Sequence, residues 1–263
     1  MSALDRGLEA LSRINALQQA SVADVQQACG GSRAAAQRLL DALCAAGYVA
    51  RDEPTELYSP TAKCLQLSRG CPLHGSLARV ARAPLAEFGA RVGWPSHLAV
   101  FTGTAMEVVL ASGSFSISAY NRGVGTRGSM LMSSNGRAYL GFCQDDERER
   151  VLQALRLSNN PFDAIARDRA KVDRLLKTVR RQGYGTSDTA YVKAVYNGAL
   201  HGISLPIRAG DQVVGAVNVM FLRNSLTLAE GVAQLLPELR AVAAIISADL
   251  TRDIDVQTRL GGR

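Results

Sequence analysis

The sequence predicts an α+β protein in two parts: a small helical part that ends in a β-hairpin, and a larger part built around an antiparallel sheet. Three observations support this fold class. Apolar residues recur at helical spacing through residues 4–46. Two short β-prone runs follow at residues 48–59. Beyond residue 93, strand-like runs lie on either side of a helical stretch, and a last apolar helix follows them.

The composition indicates a folded protein with a full core. The chain has 263 residues, enough for one large domain or two ordinary ones, and 47% of them are hydrophobic. No run of about 18 uninterrupted apolar residues appears, so we expect no membrane span. Asp5 and Glu9 interrupt the N-terminal segment, which therefore does not resemble a secretory signal. We expect a cytoplasmic protein.

Cysteine and histidine usage argues against a disulfide framework and against a metal site. The five cysteines are odd in number and form no C-x-x-C pair, and the three histidines are far apart in sequence. Cys44 falls in an apolar helical pattern, where a buried free thiol is the expected state. We expect no metal and no cofactor.

Three helices are predicted at the N-terminus. Leucine and isoleucine recur every three or four residues over 4–18, which predicts an amphipathic first helix. Ser21 is suited to cap a second helix over 22–28. Ser32 is suited to cap a third helix, which Gly47 would end.

A hairpin is predicted after the third helix. Tyr48–Arg51 and Leu57–Ser59 are β-prone and flank a turn-forming acidic segment. Three helices and a hairpin within about 65 residues is the order of a winged helix-turn-helix, in which the second helix of the turn enters the major groove of DNA. This order predicts a DNA-binding domain over residues 1–68.

The third helix has one apolar face and one face of small and polar residues. Arginine can bridge guanine or hold a phosphate, and glutamine can pair with adenine. The same pattern also fits an ordinary amphipathic helix in a small helical domain, and the residues alone leave both interpretations open. The candidate DNA-binding residues are Ser32, Arg33, Ala34, Gln37, Arg38 and Arg51.

Charge is distributed unevenly along the chain. The net charge is +7, yet residues 1–68 hold six basic and seven acidic residues. Most of the excess lies in a basic run over 167–181, which is typical of a solvated helix face. The nearly neutral N-terminal part keeps a second function open: a winged-helix protein that acts through a protein partner, with weak or no operator binding.

The rest of the chain divides into a connector and a second domain. Residues 61–71 are predicted to be a connector, and a helix over 74–92 contains Pro84, so we assign 69–92 to a linker helix. The second domain spans 93–253. Its predicted strands cover residues 97–101, 106–110, 115–120, 185–191, 202–207 and 212–220, and its predicted helices cover 134–143, 145–157, 167–182 and 227–249.

Signatures of catalysis are weak. Gly123, Gly125 and Gly128 spell the G-x-G-x-x-G of dinucleotide sites, but no helix opens directly after them, so a flexible loop over a ligand pocket is favoured. The chain has no G-x-S-x-G, P-loop or H-E-x-x-H motif. Asp188 lies near tyrosines in a loop-rich stretch and fits a binding pocket or a solvated loop equally well. We expect no catalytic residue and no enzyme.

Two sets of motifs carry a family resemblance. The first set is RGLEALSRINAL, SVADVQQACG and SRAAAQRLLDALCAAGYVARDEPTELYS. The second is NRGVGTRGSMLMSSNGRAYLGF and VRRQGYGTSDTAYVKAVYNGALHGISLPIRAGDQVVGAVNVMF. With these motifs, nearly the whole chain resembles the IclR family of bacterial transcription regulators. The resemblance implies an N-terminal winged helix and a C-terminal effector-binding domain of GAF-like shape, in dimers or tetramers that respond to small organic molecules.

The resemblance also implies where an effector binds. The pocket would lie between the glycine-rich loop of residues 121–134, Asp188, Gly202 and the strand that ends at Met220. The segments WPSHLAVFTGTAMEVV and GRAYLGFC look most like regulators of aromatic-acid breakdown, such as that for hydroxyphenylpropionate. The candidate effector-binding residues are Met130, Leu131, Ser133, Ser134, Asn135, Asp188, Gly202, Asn218 and Met220.

The residues at this predicted pocket favour an aromatic or arylalkyl carboxylate. Open N–H groups at the helix start near Ser134 would favour an anion. Met130 and Met220 would offer a soft wall for a ring, and Asn218 could exchange hydrogen bonds with the ligand. The alternative is that these methionines fill the core and the loop is only a connector.

The sequence therefore predicts a ligand-responsive transcription regulator without catalytic activity. Its partners would be a double-stranded DNA operator, a small organic acid and a second copy of the chain, in a homodimer or a dimer of dimers. The apolar stripes of the helices over 4–18 and 74–92 are the predicted subunit contact. The effector would shift an equilibrium between assembly states that space the recognition helices differently.

Overall fold

The chain forms two compact units, Met1–Pro72 and Leu73–Arg263, which we call the N-terminal and C-terminal units. The computed structural model describes residues 2–68, 72–112 and 123–261. The strand predicted at residues 115–120 and the first two residues of the glycine-rich loop lie outside the described residues.

The N-terminal unit has the predicted three helices and hairpin. Strands β1 and β2 are antiparallel, and Ala20 forms a further β-bridge with Tyr58 of β2. The elements are α1 (Ala3–Leu17), α2 (Val22–Cys29), α3 (Arg33–Ala45), β1 (Val49–Arg51), β2 (Tyr58–Pro60) and a 3-10 helix over Ala62–Ser68.

Local hydrogen bonds explain where these helices begin. Ser21 forms a capping box with Asp24, and Ser32 accepts a hydrogen bond from the N–H of Ala35, so both predicted caps are confirmed. Between α2 and α3 the chain turns through Gly30 and Gly31, whose φ angles of +69° and +85° suit glycine. The conformation of the turn between the two helices is therefore determined by these two glycines.

The core of the N-terminal unit is small and shared by all of its elements. Ile14 of α1, Leu40 of α3 and Tyr58 of β2 are at most 2% exposed and lie in one cluster. On the other side of α1, Leu4 and Leu8 are 71% and 55% exposed. The apolar stripe of α1 is thus wider than the core of its own unit requires.

In its described residues, the C-terminal unit forms an antiparallel sheet of six strands with helices on both faces. The strand order is β5-β4-β3-β8-β7-β6. The strands are β3 (Ser96–Phe101), β4 (Ala105–Ser112), β5 (Arg127–Ser129), β6 (Gly185–Thr186), β7 (Leu200–Ala209) and β8 (Gln212–Leu222). The helices are α4 (Pro72–Val92), α5 (Ser134–Phe142), α6 (Asp145–Arg156), α7 (Arg169–Gln182), α8 (Thr189–Tyr196) and α9 (Leu228–Gly261), with a 3-10 helix over Pro161–Arg167.

Alternate residues of the central strands bury two separate cores. Leu98 and Val100 of β3 pack in a cluster with α4 and α9. Ala99, between them in sequence, packs in a second cluster with α5, α6 and α7. Because side chains alternate along a strand, the sheet is covered on both faces. This arrangement confirms the predicted α+β class.

The prediction of a strand over 185–191 is wrong for most of its length. Only Gly185–Thr186 pairs with β7, and Thr189–Tyr196 is the helix α8. Asp188 caps that helix, since its Oδ1 accepts a hydrogen bond from the N–H of Ala190 at 2.9 Å. The cap overrides the β propensity of the valine and tyrosines that follow. The glycine-rich loop also contains a strand, β5.

The apolar stripe of α4 is used inside its own unit. Leu77, Ala81, Leu85 and Phe88 are at most 2% exposed and belong to the core cluster shared with α9. The prediction that this stripe forms a subunit contact is therefore wrong. The helix also runs through Pro84 without a break.

The long helix α9 is apolar because it lies on the sheet. Its segment Leu228–Val256 is long and apolar enough to cross a membrane by length and composition alone. Leu239, Ile246 and Leu250 of this segment are fully buried in the core cluster. Packing within the unit accounts for the apolar face of this helix.

Gly136 in α5 is a position where we predict a loss of stability. A Cβ added there would overlap the backbone of Met130, which cannot move as a side chain can. We expect Gly136→Ala to lower the free energy of unfolding by about 1–3 kcal/mol, the usual cost of overpacking. Denaturant titration measures this.

Gly75 in α4 is the matched control. It is exposed, and a Cβ there would meet nothing within 4 Å. Gly75→Ala should raise the free energy of unfolding by about 0.5–1 kcal/mol through helix propensity. Equal stability of Gly136→Ala and the unmodified chain would contradict the packing described for α5.

Candidate functional site

In the N-terminal unit, α3 exposes a face of small and basic residues. The Ser32 hydroxyl accepts a hydrogen bond from the N–H of Ala35 at 3.2 Å and fixes the start of the helix. Arg33, Ala34 and Arg38 are exposed, whereas Leu40 is fully buried. These three candidate DNA-binding residues are therefore accessible, Arg33 and Ala34 in the first turn of α3 and Arg38 one turn later.

The two other candidates are held by neighbouring side chains. Gln37 Nε2 donates to Asp41 Oδ1 at 2.8 Å and to the Tyr58 hydroxyl at 2.9 Å. Arg51 Nη2 forms an ion pair with Glu56 Oε1 at 2.8 Å, in the turn of the hairpin. Each of these two side chains would have to exchange an existing contact for one with DNA.

Arg33 and Arg38 are the cations of this surface that could contact DNA without giving up an ion pair, whereas Lys63 is held by its own unit. Lys63 Nζ donates to the carbonyl of Ala46 at 2.7 Å and lies 4.7 Å from the centre of the Tyr48 ring. In the part of the chain that the structure describes, Arg33 and Arg38 form no ion pair. Positive charge at the start of α3 is thus available to a phosphate or a base edge.

In the C-terminal unit, a small cavity of about 40 Å³ lies between the sheet, the start of α5 and α8. Five candidate effector residues line it, namely Ser133, Ser134, Asn135, Asn218 and Met220. The other lining residues are His97, Met106, Val108, Thr126, Gly128, Ser187, Tyr191 and Tyr196. We call this the effector cavity, for the role proposed below.

The start of α5 faces the effector cavity with hydrogen bonds already formed. Ser133 Oγ accepts from the N–H of Gly136 at 3.1 Å and donates to the carbonyl of Ser129 at 2.6 Å. Ser187 Oγ accepts from the N–H of Ser134 at 3.2 Å. Two N–H groups at this helix start therefore bind serine hydroxyls, and fewer open donors remain than the sequence predicts.

Two buried asparagines of the cavity have fixed orientations. Asn218 Oδ1 accepts from the backbone N–H of His97 at 2.9 Å. Asn135 Oδ1 accepts from the Ser204 hydroxyl at 2.7 Å. The two asparagines are 5% and 7% exposed. Because each amide oxygen is already engaged, the NH₂ group is what each side chain can offer a ligand.

Arg137 connects the segments that surround the cavity, although it is itself only 7% exposed. Its Nε donates to the carbonyl of Leu131 at 2.7 Å, and its Nη1 to the carbonyl of Thr186 at 3.0 Å. Its Nη2 pairs with Asp188 Oδ2 at 2.8 Å. Burial lowers the pKa of Arg137, and the Asp188 carboxylate acts against that shift. The guanidinium thus ties the turn before α5 to β6 and α8.

Four candidate effector residues lie away from this cavity. Met130 and Leu131 are fully buried in the core cluster with α5, α6 and α7. Asp188 caps α8, and Gly202 lines a separate small cavity nearby. Met106 of β4 takes the wall position that the sequence predicts for Met130.

The residues that the sequence analysis misses come mainly from β3, β4 and α8. Met106 and Val108 are two positions apart on β4, so strand alternation places them on one face. Tyr191 and Tyr196 sit on α8, which the sequence assigns in part to a strand. His97 lies in register with Asn218 on the neighbouring strand, a pairing that no local pattern reveals.

The G-x-G-x-x-G segment does not form a dinucleotide site. Gly125, with φ of +88°, lies in a turn, and Arg127–Ser129 is the strand β5. The next helix, α5, starts only at Ser134. The glycines therefore do not open a helix at which a pyrophosphate could bind.

Free thiols are present, and one of them is strongly shielded. Among the described residues, no group of three or more His, Cys, Asp or Glu is placed to hold a metal ion. Cys44 is half-buried rather than fully buried. Burial raises the pKa of the Cys143 thiol to about 11, so this thiol stays protonated near neutral pH.

A winged helix-turn-helix joined to a sheet unit with a polar cavity defines a DNA-binding regulator with an effector-binding domain. The comparison with known families gives the same class and a name for it. Residues 3–53 match the IclR helix-turn-helix domain, and residues 74–248 match the bacterial transcriptional regulator IclR C-terminal domain. The chain belongs to the IclR family of transcription regulators.

Solved structures share this architecture over nearly the whole chain. A protein from Rhodococcus sp. RHA1 is 26% identical, with a TM-score of 0.66, over 96% of this chain and 99% of that one. An IclR homolog from Microbacterium hydrocarbonoxydans, in complex with 4-hydroxybenzoate, is 21% identical, with a TM-score of 0.66, over 95% and 99%. Thermotoga maritima IclR is 19% identical, with a TM-score of 0.62, over 94% and 98%.

We predict that the charge of Asp188 matters more than its role as a helix cap. Asp188→Asn keeps an acceptor for the cap but removes the partner of the buried Arg137. We expect the free energy of unfolding to fall by about 1.5–3 kcal/mol, the value of a hydrogen bond to a charged group.

Asp168 provides the control, because it caps α7 in the same way and its ion pair with Lys171, at 3.1 Å, faces solvent instead of being buried. Asparagine and aspartate are nearly equal as caps, so Asp168→Asn should change stability by less than about 0.5 kcal/mol. If thermal and denaturant unfolding gave similar losses for both variants, the Arg137 ion pair would not be the source of stability.

Proposed function

We propose that this protein regulates genes for the breakdown of an aromatic or other small organic acid, and that its effector is an aromatic or arylalkyl carboxylate. The observation that carries this proposal is the composition of the effector cavity. Met106, Val108 and Met220 give it apolar walls, and Asn135 and Asn218 supply amide donors. We further propose that the protein is cytoplasmic and has no catalytic activity.

The electrostatics of the cavity fit a single carboxylate held by neutral donors. Its described lining contains no Asp, Glu, Lys or Arg. The start of α5 contributes the positive end of a helix dipole, which favours an anion. A small acid such as glyoxylate would leave the apolar walls uncovered, whereas a ring would cover them. The homolog bound to 4-hydroxybenzoate supports an aromatic acid.

The size of the cavity suggests how the effector acts. A volume of about 40 Å³ is close to that of one water molecule and far below that of a hydroxybenzoate. We propose that the effector binds a more open state of the unit, in which α5 and α8 lie further apart. The effector can shift the population only by as much as its affinities for the two states differ.

The proposed effector is testable by calorimetry with a panel of aromatic acids, and pyruvate and glyoxylate as controls. We expect an aromatic acid to bind and Asn218→Leu to weaken its binding about tenfold, the effect of losing one buried hydrogen bond. Asn224, exposed beyond the end of β8, gives the matched variant Asn224→Leu, which should bind normally. Binding of the small acids alone, or full affinity in Asn218→Leu, would refute this placement.

For DNA, we propose that α3 is the recognition helix and that Arg33 and Arg38 make its main contacts. A nearly neutral unit binds weakly as a single copy, so two copies acting together would be needed. Leu4 and Leu8, exposed on α1, offer an apolar contact for a homodimer, from which a dimer of dimers could form. The operator would then be a pseudo-palindrome.

We predict that Arg38→Ala weakens operator binding by about 1–3 kcal/mol per half-site if this side chain reads guanine. If it holds a phosphate, binding to all sequences should weaken alike. Arg51→Ala should have a smaller effect, because Glu56 already neutralises that guanidinium. A gel-shift titration with the promoter fragment measures both, and unchanged binding by Arg38→Ala would exclude α3 as the reader.

The alternative function is a winged-helix protein that acts through a protein partner. The acidic hairpin turn and the ion pair of Arg51 with Glu56 favour it, since they reduce the attraction to phosphates. Binding to the DNA upstream of its own gene separates the two functions. An operator-binding regulator should bind there with an affinity that falls steeply with salt.

A further inference from the structure

A second, larger cavity lies elsewhere in the C-terminal unit. Its volume is about 320 Å³, within the range of small-molecule sites. It is bounded by the start of α4, the end of β3, α5 through Tyr139, the start of α6 and the start of β8. It shares no described lining residue with the effector cavity. We call it the second cavity.

The floor of the second cavity is aromatic and apolar. The rings of Phe101 and Tyr139 are stacked, with centroids 5.0 Å apart and an interplanar angle of 26°. Val213 packs in the same cluster as these rings, whereas Val214 packs on the other face of the sheet. Phe101 is half-buried and Tyr139 is 3% exposed, so the flat surface open to a ring or an alkyl chain is mainly that of Phe101.

The rim of the second cavity carries a net negative charge. Asp146 and Arg150 both line it and form an exposed ion pair at 3.3 Å, so their charges offset each other. Glu147 Oε1 accepts a hydrogen bond from the Tyr139 hydroxyl at 2.5 Å, a donor that carries no charge. Burial raises the pKa of Tyr139, which keeps its proton. In the part of the chain that the structure describes, Glu147 forms no ion pair, although the net charge of the chain is +7.

We propose that the second cavity binds a small organic cation, an amine or a quaternary ammonium that carries an aromatic or apolar group. The cation lies against Glu147, and the apolar group lies on the ring of Phe101, which Tyr139 supports from behind. An aromatic face and a carboxylate together attract a cation more than either does alone. The aromatic acid proposed as effector would be repelled by Glu147, so the two cavities select ligands of opposite charge.

The test compares 3-phenylpropylamine with its neutral analogue 3-phenylpropan-1-ol, by calorimetry on the full chain. Both ligands are titrated at the same pH, 8, because His74 also lines the cavity. We expect saturable binding of the amine and at least tenfold weaker binding of the alcohol.

Equal binding of the amine and the alcohol, or no saturable binding of the amine, would overturn the proposal. The amine result does not depend on whether an aromatic acid is the effector, so this proposal and the proposed function fail separately. The comparison of the two ligands also needs no variant, so a folding defect cannot obscure it.

Variants then locate the site. Glu147→Gln keeps an acceptor for Tyr139 and removes the charge, so it should weaken the amine about tenfold and leave the alcohol unchanged. Glu149→Gln is the control, since Glu149 is on the same helix, pairs with Arg156 and does not line this cavity. An amine affinity equal in Glu147→Gln and the unmodified chain would place the cation elsewhere.

Discussion

The effector-binding unit depends on one buried cation. Burying a guanidinium costs several kcal/mol unless its N–H groups find partners. Arg137 finds them in two stretches of the chain: the turn that holds Leu131, six residues before it, and a segment about 50 residues later that holds the end of β6 at Thr186 and the cap residue Asp188. The turn, the strand end and the helix cap are therefore fixed relative to α5. The effector cavity lies between those same segments. Its shape therefore depends on the hydrogen bonds of Arg137, although Arg137 does not line the cavity.

Much of the fold could be predicted, because its signals are local. Ser21 and Ser32 cap helices at the predicted positions, and the helices of the N-terminal unit end within two residues of the predicted bounds. The central strands β7 and β8 are likewise found where alternation predicts them, somewhat longer at their ends. Where a cap or a period of two or 3.6 decides the structure, the residues nearby contain the information.

The cavity could be predicted only in part, because it is assembled by non-local pairing. Ser133 to Asn135 are predictable, because a local motif marks the helix start to which they belong. His97 is not predictable, because its hydrogen bond to Asn218 joins residues 121 positions apart and requires β3 to pair with β8. The position of Met130 at the end of a loop predicts that it lines the cavity. In the structure its backbone lies against Gly136, and its side chain is in the core.

Gly202 is a position where a substitution would affect the start of α5 without changing a residue that lines the effector cavity. A Cβ at this position would lie 3.0 Å from the hydroxyls of both Ser134 and Ser187. Ser187 also occupies the N–H of Ser134 at the start of α5. A larger side chain at 202 would therefore make these hydroxyls shift and would change the hydrogen bond to the Ser134 N–H. During evolution, one substitution on the far side of two serines would then change the proposed anion site, while the residues that line the effector cavity stay the same.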